Sequence, residues 1–125
     1  MNGYEEIRDL KGNLLAFTVR NNFSGDKYNF PTSSENPLQV GVNFYNAGDF
    51  VKPHYHNVHE RVINKTQEFV VVAEGEVKFT VYDGDNHLVS SVTLRSGEAI
   101  FFADGGHRWD FLKKTKILEV KQGPY

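Results

Sequence analysis

Short runs of alternating apolar and polar residues, each closed by a turn, recur along most of this chain, and no long segment has helical periodicity. Val77, Phe79 and Val81 alternate with Lys78 and Thr80, and Asp83-Gly84-Asp85-Asn86 follows as a strong hairpin signal. Leu88 to Leu94 is expected to pair back, Arg95-Ser96-Gly97-Glu98 to turn again, and Ala99 to Phe102 to form the next strand. Asp104-Gly105-Gly106 turns into His107-Arg108-Trp109-Asp110-Phe111, and Lys116 to Val120 reads as the last strand. Upstream, Leu14 to Val19 is predicted as the first strand, and the polar stretch from Asn21 to Asn36 as loop with one short extended piece. Leu38 to Tyr45 places Val40, Val42 and Phe44 on one face of a strand. Glu68 to Ala73 is apolar on both faces, so both are expected to be covered. Such a succession predicts an all-β sandwich or barrel.

The length of 125 residues predicts a single domain over 1–125, large enough to bury roughly two-thirds of its unfolded surface. Ten phenylalanines and six tyrosines suit strands. The net charge of −2, with no basic run, argues against nucleic acid as a partner. No apolar run approaches the roughly 20 residues of a membrane span, and no cysteine is present for a disulfide or thiolate site. The start of the chain lacks a basic stretch followed by an apolar one, so the expectation is a cytoplasmic protein with no membrane partner.

Chemistry concentrates at Pro53-His54-Tyr55-His56. In an extended segment His54 and His56 point the same way, and two imidazoles on one face suit a divalent metal. Pro53 favours an extended Lys52 and fits the start of a strand. Glu68 is a candidate oxygen ligand, because a carboxylate beside Val70 and Val72 is costly to bury without a partner. His107 is a candidate third nitrogen, with Trp109 and Phe111 on its face by parity. This mixed set suits one Fe, Mn, Ni or Zn ion. Asn43, Tyr45, Arg61 and Trp109 are candidate substrate contacts, Arg61 for an anionic group. His59 and His87 are expected at the surface.

The pattern Gly48, five residues, His54-Tyr55-His56, then Glu68, six residues, Gly75 resembles the first motif of the cupins. The eleven residues between His56 and Glu68 exceed the family's spacer, and loop length is cheap to absorb. Gly97, five residues, then Ala103-Asp104-Gly105-Gly106-His107 is similar to the second motif, with alanine for proline and the histidine one residue early. Phe50 to His56 and the closing Glu119 to Tyr125 resemble small single-domain cupins encoded in O-antigen and other surface-polysaccharide gene clusters.

That resemblance implies an antiparallel β-barrel of jelly-roll type, holding one divalent metal through His54, His56, Glu68 and His107. It also implies a small-molecule substrate of carbohydrate type. The function expected from it is a metal-dependent isomerase or epimerase of a sugar or nucleotide sugar. A non-haem iron dioxygenase of a small organic acid and a non-catalytic carbohydrate-binding cupin are the alternatives. A homodimer is expected, because Phe69 and Val71 would otherwise leave an apolar strip bare unless residues 14–19 cover it.

Overall fold

In a computed structural model that describes residues 2–125, the protein is built from antiparallel strands, with no helix among the described residues. No helix is therefore long and apolar enough to cross a membrane. The strands are β1 (Tyr4–Arg8), β2 (Leu14–Val19), β3 (Tyr28–Asn29), β4 (Val42–Asn43), β5 (Glu68–Glu74), β6 (Glu76–Tyr82), β7 (Leu88–Arg95), β8 (Ala99–Phe102), β9 (Gly106–Phe111) and β10 (Lys116–Lys121). The chain divides into two compact units: the residues up to Ser24 together with Lys65–Tyr125, and Gly25–Asn64.

The larger unit holds a five-stranded sheet in the order β1-β2-β8-β5-β10 and a three-stranded sheet in the order β7-β6-β9. Both sheets are open, so no closed barrel forms from these strands. Their facing sides share one core. Ala16, Val70, Val72, Ile100 and Phe102 come from the first sheet, and Val77, Phe79, Val81, Val92 and Leu94 from the second. The alternation of β6 explains its side of that core, with Lys78 exposed between buried Val77 and Phe79. Strands β2 and β8 are buried on both faces, as Phe17 and Phe101 meet at a tilt, 5.0 Å apart, on the side away from the core.

Two turns depend on glycine. Gly75, between β5 and β6, has φ +96°, and a Cβ there would lie 2.5 Å from the Lys114 carbonyl oxygen. Gly105, which starts the chain into β9, has φ +72° against the Tyr82 carbonyl. Both conformations disfavour any residue with a side chain.

The smaller unit contains only the two-residue ladder of β3 with β4. The strand expected over Leu38 to Tyr45 contracts to Val42–Asn43. A side chain replaces a partner strand at Val40, whose N–H donates to Thr32 Oγ1 at 3.2 Å. The segment 14–19, expected as a possible cover over Phe69 and Val71, is instead a strand of the same sheet, paired with β8. Phe69 and Val71 are half-buried, while Val70 and Val72 are fully buried.

Candidate functional site

Strand parity points Glu68, Val70 and Val72 towards the core, and Glu68 stands at the end of that row, opposite Phe102. On the facing sheet the inner side of β9 carries His107 opposite Val81, Trp109 opposite Phe79 and Phe111 opposite Val77. The packing of the two sheets brings His107 Nε2 to 3.3 Å from Glu68 Oε2. The side chains are 30% and 16% exposed, so the pair sits at the rim of the core.

Three aromatic rings back this pair. His107 stacks on Phe102 at 4.2 Å with an interplanar angle of 24°, and Trp109 lies 5.7 Å from His107 at the same tilt. Phe79 closes the base edge-on to Trp109 at 5.7 Å. These contacts fix the imidazole plane with little freedom to rotate.

The polar atoms here are incompletely satisfied. Glu68 Oε2 is buried and in no hydrogen bond, although His107 Nε2 lies 3.3 Å away. The indole Nε1 of Trp109 is also buried without a partner. An unpaired buried polar atom costs about 1–3 kcal/mol, so such atoms call for an explanation. Two ligands held at roughly 2.0–2.1 Å from one metal, at tetrahedral or right angles, stand roughly 3 Å apart from each other. The separation of Glu68 and His107 and their lack of a direct hydrogen bond both fit a shared cation.

The other expected ligands lie in the smaller unit. His54 and His56 are adjacent, with ring centroids 5.2 Å apart, and both are exposed. The expected histidine strand is absent, since no strand lies between Asn43 and Glu68. The stretch has no ladder partner, and His54 Nδ1 instead contacts the Lys52 carbonyl at 2.8 Å. The structure thus pairs Glu68 with His107, and His54 with His56, in separate units.

The candidate substrate contacts scatter. Asn43 accepts the Asn29 N–H at 3.1 Å through Oδ1 and ties β3 to β4. Tyr45 is half-exposed and meets Tyr28 edge-on at 6.0 Å, with Lys27 Nζ 5.7 Å above each ring. Arg61 lines an open cleft of about 890 Å³ with Glu35, Gln39 and His59. Trp109 alone belongs to the Glu68–His107 cluster. Phe111 shares its face but is 56% exposed, because β9 is an edge strand and Phe111 its last residue.

A second group of ligand types was not anticipated. Asp83, Asp85 and His87 present ligand atoms within 4.8 Å of one another at the β6–β7 hairpin and could hold a metal ion. The Asp-x-Asp-x-His spacing is the signal that could have found it. Asp83 is already engaged: Oδ1 accepts the N–H groups of Asp85 and His87, each at 2.9 Å. Hydrogen bonding from the His87 backbone is the main cause holding the Asp83 carboxyl below its ordinary range. His87 is exposed, as expected.

No protein-family model, curated protein or solved structure matches the chain.

Proposed function

We propose that this protein is a divalent-metal-binding β protein of cupin type, with Glu68 and His107 as two of the metal ligands. The observation that carries the reading is the buried, unbonded Glu68 Oε2 facing His107 Nε2 at 3.3 Å across two sheets. His54 and His56, spaced from Gly48 as in the motif, are the candidate ligands of the smaller unit. Fe, Mn, Ni and Zn all accept such a nitrogen and oxygen set.

A metal there would supply Lewis acidity towards a carbonyl or hydroxyl oxygen. The chain's own residues hold and orient. The Phe102 ring fixes the His107 plane, and the flat faces of His107 and Trp109 offer a wall for a small ligand. From the motif resemblance, the reading extends to a metal-dependent isomerase or epimerase of a sugar or nucleotide sugar. A dioxygenase would instead consume oxygen.

Elemental analysis after mild purification tests the metal. The expected result is close to one divalent ion per chain, lost in Glu68→Ala and His107→Ala. Protein that stays metal-free with all four metals supplied overturns the reading. Oxygen uptake by the iron-loaded protein with 2-oxo acids would replace the isomerase by the dioxygenase.

A further inference from the structure

The five-stranded sheet ends in two edges of different character. On β1 the exposed residues are Glu5, Glu6 and Arg8, and charges of this kind discourage a further strand. On β10, Leu118 and Val120 are each 55% exposed. By register Leu118 lies beside Val71 and Val120 beside Phe69, so four apolar side chains form one strip on the face away from the core. Among the described residues the outer edge of β10 has no partner strand, and no proline interrupts Lys116–Lys121. A bare edge with an apolar strip is a template for strand addition.

We propose that the occupant of this edge is β10 of a second copy, joined antiparallel about a two-fold axis at Val120. A two-fold axis normal to the sheet pairs residues of the same parity, so the faces of the two sheets run on continuously. With Val120 opposite itself, Glu119 stands opposite the second copy's lysine at position 121, and Lys121 opposite its glutamate at 119. Moving the axis to Glu119 would set two carboxylates face to face. Moving it to Leu118 would set Glu119 against an isoleucine. The charge pattern Glu119-Val120-Lys121 therefore selects one register, in which residues 119–121 of each strand pair and Val120 meets its own counterpart on the axis. Within one chain Lys121 Nζ lies 3.7 Å from Glu119 Oε1 and 4.5 Å above the Tyr125 ring, so pairing across the edge exchanges these exposed contacts for the partner's.

Sedimentation equilibrium from nanomolar to micromolar concentration tests the pairing. The expected species is a dimer of twice 14.3 kDa that dissociates on dilution. Glu119→Lys or Lys121→Glu alone places like charges opposite each other twice per dimer, and is expected to raise the dimer Kd about tenfold. The double swap Glu119→Lys with Lys121→Glu keeps the pair within the strand and is expected to restore the wild-type Kd. Val120→Lys, which brings two ammonium groups together on the axis, is expected to leave a folded monomer by circular dichroism. A monomer at every concentration overturns the proposal. So does a dimer whose Kd ignores the single swaps, or a double swap weaker than either single one.

Discussion

Glu68→Gln separates a metal ligand from a structural carboxylate, because the two roles predict opposite signs. In the metal-free protein, wild-type Glu68 buries an oxygen in no hydrogen bond, 3.3 Å from His107 Nε2. An amide in its place carries no charge and brings N–H donors that His107 can accept. Recovering part of an unpaired-group cost of about 1–3 kcal/mol, in a side chain still 16% exposed, is expected to stabilise the metal-free variant by about 1 kcal/mol. For a chain of 125 residues that is a rise in Tm of about 4 °C. With metal at a hundredfold excess over Kd, wild-type protein gains about 2.7 kcal/mol, or about 10 °C. The variant is expected to lose most of that gain, since an amide oxygen is a far weaker ligand than a carboxylate. Differential scanning calorimetry with and without chelator reads both effects. A variant less stable than wild type without metal, yet still gaining about 10 °C with it, refutes the reasoning. Glu68 would then be a structural residue.

Phe79→Ala removes a fully buried ring that touches Phe102 and Trp109, and is expected to cost about 3–5 kcal/mol with an unchanged m-value in urea. Gly75→Ala forces a side chain into positive φ against the Lys114 carbonyl, and at least about 1–2 kcal/mol of stability should disappear in the same titration. The stabilisation by metal should fade as pH falls through the histidine range, because protonated imidazole does not bind a cation; melting curves at stepped pH with saturating zinc measure it. The Asp104 carboxyl is held below its ordinary range chiefly by its hydrogen bond from Lys65, 2.8 Å away. Its contribution is thus present above the unfolded carboxylate range and lost as pH falls below it. Asp104→Asn should accordingly flatten the acid limb of the stability curve, and acid titration followed by circular dichroism will show whether it does.

Periodicity determined most of the larger unit. The rows Val77-Phe79-Val81 and Val70-Val72 can be buried only as strands, and the turn residues at Asp83-Gly84 and Gly97 leave little choice of connection. β1 escaped notice because Ile7 is its only buried residue; pairing with β2, and not its own pattern, makes it a strand. The run Leu38 to Tyr45 shows the converse. Its alternation promised a long strand, but a strand also needs a neighbour, and only Tyr28–Asn29 supplies one.

The candidate site divides in the same way. That Glu68 faces inwards follows from parity with Val70 and Val72, and the likeness of Trp109 to His107 in facing follows from β9. That Glu68 meets His107 does not follow from either strand. They lie in different sheets, and only the packing of those sheets, through Phe79, Phe102 and Trp109, sets the 3.3 Å between them. The unbonded state of Glu68 Oε2 is likewise a tertiary property, because it depends on what the two packed sheets bring around that atom and not on residue type.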